Sequence, residues 1–370
     1  LIAPRLEHAG RFVALGLAAA LLGFAGVALG VHEDVRQAAF SYLFAYAFTL
    51  SLSLGALTLV MTGHAAGASW LVPIRRPLEA LAAAIPLHAI LFVPIAASLP
   101  ELYPWARPHA PTPRDGFLEP GFFLARSAFY LGVWSLLGLL LWRGGPRARA
   151  VSAVGFPALG LTVMFAAFDW LMSLEPEWSS TIYGATYWAG GVLAALALAQ
   201  VVAFSWQRRG LLTLSPSHHH AIGKLLLTLV IFWAYLSFAQ ALIVWIANIP
   251  RETAWYLART QGGAGLLLVA IGLGKFAVPF FALLSRSVKR RGDLLALVSG
   301  TIILAHALDV SWLVFPALGG ASPGPHALDV AALAAVLGTT LAGVGFLLRG
   351  VTATPVEDPD HERGSRYETT

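Results

Sequence analysis

The chain has 370 residues, 58% of them hydrophobic and 12% charged, with a net charge of +5 and no cysteine. Its mean hydropathy of +0.72 excludes a soluble domain of this length and predicts an integral membrane protein. Without thiols, the chain cannot itself hold thiolate-ligated iron-sulfur clusters, disulfides or covalently attached c-type haem.

Ten apolar runs are long enough to cross a hydrocarbon core of about 30 Å at about 1.5 Å per residue. In chain order they are Phe12–Val31, Ala38–Thr62, Leu78–Ala97, Gly121–Trp142, Ala153–Leu174, Ile182–Trp206, Leu225–Ala247, Gly262–Leu284, Leu294–Pro316 and Ala327–Leu348. The first run outlasts the apolar core of a signal peptide, so it is read as a membrane helix. Connections on the N-terminal side carry 17 Lys and Arg residues, and those on the other side carry five: Arg36, Arg107, Arg114, Arg251 and Arg259. This asymmetry predicts an even number of spans with both termini cytoplasmic. The net positive charge then reflects topology, and a nucleic-acid partner is not expected.

Two connections are longer than the rest. Residues 98–120 carry six prolines and predict an extended outer cap. Residues 207–222 contain His218, His219 and His220, read as part of a solvated loop because a contiguous triplet suits one metal ion poorly. The last twenty residues lack apolar periodicity and predict a tail that is mobile or docked on a partner. The outer aromatics Trp105, Trp178, Trp255 and Tyr256 are read as interfacial anchors.

Ionisable residues inside the apolar runs carry the functional signal, because each costs at least a few kcal/mol in lipid unless paired and turned inward. Arg126 in span 4 and Asp169 in span 5 lie at similar depth near the outer boundary and can pair. Structural pairing, proton release and the shaping of a quinone site all remain open for them. Lys275 lies thirteen residues into span 8, and on span 9 His306 and Asp309 share one face at a spacing of three. An amine, an imidazole and a carboxylate shielded from water can relay protons, and structural pairing is the alternative. His88 falls near the midplane of span 3. It and His306 would permit b-type haem ligation if spans 3 and 9 faced one another.

The pattern repeats. Asp169 and Asp309 each precede a proline, Pro176 and Pro316, by seven residues, and the cations Arg126 and Lys275 sit on the preceding helices. A four-span period makes spans 2–5 (38–180) and spans 6–9 (181–320) two four-helix bundles. Peripheral segments 1–37 and 321–349 hold spans 1 and 10, and 350–370 is a cytoplasmic tail.

Two stretches carry a family resemblance. Residues 165–190, containing Phe168-Asp169-Trp170 and Glu175-Pro176-Glu177-Trp178, and residues 223–250, ending in Asn248-Ile249-Pro250, resemble the ActF-type membrane subunits of bacterial alternative complex III, within the NrfD-like membrane protein family. Arg126–Tyr130, Leu284–Arg290 and His306–Pro316 echo it. Arg251 stands where family members commonly carry an acid. The resemblance implies a multi-pass protein of the bacterial inner membrane with a ten-helix fold of two four-helix bundles. It also implies a quinol:electron acceptor oxidoreductase complex, and it argues against haem between His88 and His306. Its implied partners are a related ten-span subunit, an iron-sulfur protein and c-type haem subunits, with lipids around them. No cofactor is expected on this chain, apart from a contribution to quinone binding. A secondary transporter and an inert membrane anchor are the alternatives; the transporter reading is weakened because the sequence gives no sign of broken helices at corresponding depths.

Overall fold

A computed structural model describes residues 6, 9–108, 116–142, 144–319, 326–355, 358 and 360–368. Residues 109–115 of the proline-rich connection, Arg143, and residues 320–325 lie outside this set, as do 356, 357, 359, 369 and 370 of the tail. Among the described residues there are ten helices long and apolar enough to span a membrane. They are span 1 (Ala9–Glu33), span 2 (Val35–Ala66), span 3 (Ser69–Ala97), span 4 (Pro120–Leu141), span 5 (Ala148–Leu174), span 6 (Tyr183–Arg208), span 7 (Pro216–Ala247), span 8 (Gly263–Leu284), span 9 (Gly292–Leu318) and span 10 (Ala327–Leu347). The multi-pass architecture read from hydropathy is present.

Span 2 is the axis of the molecule. Its apolar stretch is buried throughout, and it packs on spans 3, 5, 6, 9 and 10. Span 6 closes against it because two glycines meet: a Cβ on Gly55 would lie 2.2 Å from the Gly191 carbonyl oxygen. Spans 1 and 10 pair along most of their length through the same device, with Gly16 and Gly23 opposite Gly338, Ala342 and Ala335. In lipid, where no solvent drives apolar helices together, such close backbone approach supplies the dispersion contact that holds them.

Several local readings are corrected. Span 3 is interrupted at Ala84 and Phe92, two residues before Pro86 and Pro94, because each proline ring clashes with the carbonyl one turn back. Span 8 passes through a π-helical segment, Gly272–Ala277, before Pro279. Broken spans therefore exist, although spans 3 and 8 are not equivalents under a four-span period. The His triplet lies in the first turn of span 7, not in a loop: Ser215 accepts from the His218 backbone N–H, and Pro216 takes the first helical position. Asn248 ends span 7 in the left-handed conformation with φ 46°. Pro250 then starts a separate helix, Pro250–Thr260, in the connection between spans 7 and 8.

Part of the tail packs on the chain itself. Gly364 sits against Ser69 and Val72, its carbonyl accepts from His218 Nε2 at 2.7 Å, and Asp358 pairs with Arg75. At the same end Leu6 N–H donates to the Val351 carbonyl at 3.0 Å, so both ends of the described chain meet on one side.

Candidate functional site

The predicted ionisable residues assemble into two centres, one on spans 4 and 5 and one on spans 8 and 9. In the first, Arg126 of span 4 clamps Asp169 of span 5 through Nε at 2.9 Å and Nη2 at 2.8 Å. Tyr130, one turn along the same helix, donates to the same carboxylate at 2.9 Å. The guanidinium is held between the rings of Phe117 and Phe122, at 4.0 and 4.3 Å from their centroids. Bidentate pairing, a third donor and two aromatic faces fix this centre in one geometry.

The second centre is built on three helices and a glycine. Lys275 projects from the π segment of span 8 and is fully buried; its ammonium donates to Asp309 and lies 3.0 Å from His306 Nδ1. It also stands 4.4 Å from the Trp233 ring centroid on span 7. The π segment widens the helical turn, a device that recurs at functional sites. Gly190 of span 6 leaves the space the centre occupies, because a Cβ there would come within 2.8 Å of Lys275 Nζ and 3.1 Å of the His306 ring.

Hydrogen-bond chemistry orders the protons. An ammonium can only donate, so His306 Nδ1 accepts from Lys275 and the ring proton resides on Nε2. That nitrogen is 2.8 Å from Ser51 Oγ, and Ser51 in turn donates to the Phe48 carbonyl at 2.7 Å. The result is a directed chain from Asp309 through Lys275 and His306 to span 2.

Two residues further along span 2, Ser53 Oγ lies 3.0 Å from His88 Nε2. Positions two apart are about 200° apart around a helix, so His88 and His306 flank span 2 on different sides. They cannot act as axial ligands to one haem. His88 is fully buried, Tyr46 packs edge-on to its ring, and its Nδ1 has no hydrogen-bond partner. A buried ring nitrogen without a partner is a place for water or a transferred proton. Among the described residues no group of three or more His, Asp and Glu has metal-binding geometry, the His triplet included.

Other groups were not foreseen. Arg259, counted above as a loop charge, is buried, pairs with Glu175, and lies 3.7 Å from the Trp255 ring centroid. Trp178 stacks on Trp255 at 4.1 Å, and Trp312, three residues after Asp309, donates to the Arg259 carbonyl at 3.1 Å. Trp105, Trp178 and Trp255 are thus buried within the fold and are not interfacial anchors. The signal for the helix Pro250–Thr260 was present in Pro250 at its start, Glu252 in its first turn and Arg259 in its last. At the opposite end Arg75 and Arg76, also counted as loop charges, are buried around Glu79, with contacts of 2.8 and 3.0 Å. Ser51 and Ser53 carry no distinguishing signal in a span rich in serine and threonine.

No protein-family model and no curated protein matches this chain.

Proposed function

We propose that this chain is a redox-inactive subunit of a bacterial respiratory quinol-oxidising complex, lying in the inner membrane with both termini cytoplasmic, and that its second half relays protons. The observation that carries the relay is the directed contact series Asp309, Lys275, His306, Ser51, with His88 on the other side of the same helix. The quinol-oxidising setting rests on the resemblance of residues 165–190 and 223–250 and on the charge asymmetry between the two sides.

The two-bundle reading is supported by helix neighbours. Span 2 packs on spans 3 and 5, and span 4 on spans 3 and 5; span 6 packs on spans 7 and 9, and span 8 on spans 7 and 9. Within it the two centres divide the labour. Arginine stays protonated at any physiological pH, so the Arg126–Asp169–Tyr130 centre, with three donors on one carboxylate, locks spans 4 and 5. Lysine can give up its proton when desolvated, so Lys275 passes one to His306 or Asp309 and regains it from the other. Electrons travel through haem and iron-sulfur partners, and quinol oxidation in the related ten-span subunit biases the protonation of this centre.

Asp309→Asn tests the relay. The complex is expected to assemble and turn over while the proton-to-electron ratio falls; an unchanged ratio in reconstituted vesicles removes the relay. Purification under mild conditions tests the setting, with haem proteins expected to accompany the chain. The interruptions in spans 3 and 8 favour a second reading, a secondary transporter, which predicts that the chain is isolated alone or as an oligomer.

A further inference from the structure

A crevice of about 610 Å³ runs between span 10 on one side and spans 2, 3 and 6 on the other. It extends along span 10 from Val330 to Leu348, nearly the full length of the helix, and Val330 and Leu341 are exposed on its open side. Its two threonines do not make it polar: Thr49 donates to the Ala45 carbonyl at 2.8 Å and Thr340 to the Val336 carbonyl at 2.9 Å, so both present methyl groups. Water gains no hydrogen bonds in such a space, and an empty volume this large forfeits dispersion contacts along its whole length. An apolar chain from the surrounding bilayer fills it.

The mouth of the crevice identifies the head that belongs to that chain. Phe12, Trp206 and Leu348 line the end at which spans 1, 6 and 10 meet one aqueous face. Exposed arginines adjoin each of these residues in sequence: Arg11 beside Phe12, Arg209 just after Trp206, and Arg349 beside Leu348, while Arg208 lines a separate pocket with His219 and Asp293. No salt bridge to a described carboxylate is formed by Arg11, Arg209 or Arg349. Three exposed cations, each within three residues in sequence of the lining at one end of an acyl-sized slot, match a phosphate-bearing headgroup above a hydrocarbon tail. From the depth, the apolar lining and this charge, we infer that the crevice is a binding site for one anionic phospholipid, seated between the span 1 and span 10 pair and the central helices. The bound lipid serves as the packing layer that joins this peripheral pair to the rest of the fold.

Native mass spectrometry of the full chain, extracted with its natural assembly, tests the site with two probes of identical acyl chains, phosphatidylglycerol and phosphatidylcholine. One phosphatidylglycerol is expected to be retained in preference, and to raise the melting temperature more than phosphatidylcholine does. Each of Arg11→Gln, Arg209→Gln and Arg349→Gln should weaken retention roughly fivefold, and high salt should weaken it further. These residues are exposed, so folding is unaffected. Ala334→Phe, which fills the crevice from span 10, should abolish retention and leave the melting temperature insensitive to added lipid. Equal retention of both phospholipids, retention unchanged by the arginine substitutions, or occupancy by quinone in place of phospholipid would each overturn the assignment.

Discussion

The position of one hydrogen atom decides what the second centre can do. Because Lys275 donates to His306 Nδ1, the imidazole is neutral and offers its Nε2 proton to Ser51, leaving one acceptor ready for a proton and one donor ready to release it. Lys275, His306, Asp309, Arg126 and Asp169 were all legible as ionisable residues in apolar runs, and the three-residue spacing put His306 and Asp309 on one face. Ser51 and Gly190 were not, since a hydroxyl or a missing side chain in a membrane helix has many ordinary uses. Gly190 nevertheless sets the volume of the centre. Gly190→Ala should gain helix propensity of about 1 kcal/mol yet displace Lys275 or His306, because its methyl would come within 2.8 Å of the ammonium. The expected outcome is an assembled protein whose proton-to-electron ratio falls as it does for Asp309→Asn, measured in the same vesicles. Ser51→Ala should lower the ratio too, at a cost of about 1–3 kcal/mol because the buried His306 Nε2–H loses its acceptor.

At the scale of elements, hydropathy located all ten spans because a run of about 20 apolar residues has few other uses. It could not locate what breaks them. Pro86 and Pro94 mark the turns in span 3 only once the helix is seen to continue beyond them, and no residue type specifies the π segment of span 8. The His triplet was misplaced because three polar residues after a proline read as loop, whereas Ser215 and Pro216 make that stretch a helix start. The tail shows the same limit: sequence lacking apolar periodicity docks by specific polar contacts, chiefly Asp358 with Arg75 and His218 with the Gly364 carbonyl. Burial pushes the Asp358 carboxyl up in pKa, but the hydrogen bond and charge of Arg75 outweigh it and hold the group below its ordinary value. A depressed folded-state pKa means that the contact contributes fully above the free carboxylate value of about 4 and is lost as pH falls through the lower, docked value. Protection of the amides of residues 360–368, taken relative to their intrinsic exchange rate at each pH, is therefore expected to be high at neutral pH and to fall below about pH 4. Asp358→Asn should show the reduced protection at neutral pH; equal protection in both proteins would show that the tail is held by packing alone.

Across the whole molecule, the same device of a cation on one helix and an aspartate on the next occurs twice, and the two copies differ in one respect that separates structure from function. The first uses an arginine and places three donors on its carboxylate. The second uses a lysine and shares it between a carboxylate and an imidazole. Replacing one partner of either pair by an apolar residue strands a buried charge and should cost about 3–5 kcal/mol, more than Asp309→Asn, whose amide oxygen still accepts from Lys275, whereas replacing both partners by apolar residues of similar volume is neutral or stabilising. This gives a test that isolates the relay from packing. Lys275→Met combined with Asp309→Leu should assemble at least as well as the unmodified chain, while Lys275→Met alone should assemble poorly. If the second centre only held spans 8 and 9 together, the double variant would restore both assembly and proton transfer. If it relays protons, assembly returns and the proton-to-electron ratio stays low. The corresponding exchange in the first centre, Arg126→Met with Asp169→Leu, should restore assembly and leave the ratio unchanged, because a guanidinium that never releases its proton contributes position and no charge movement.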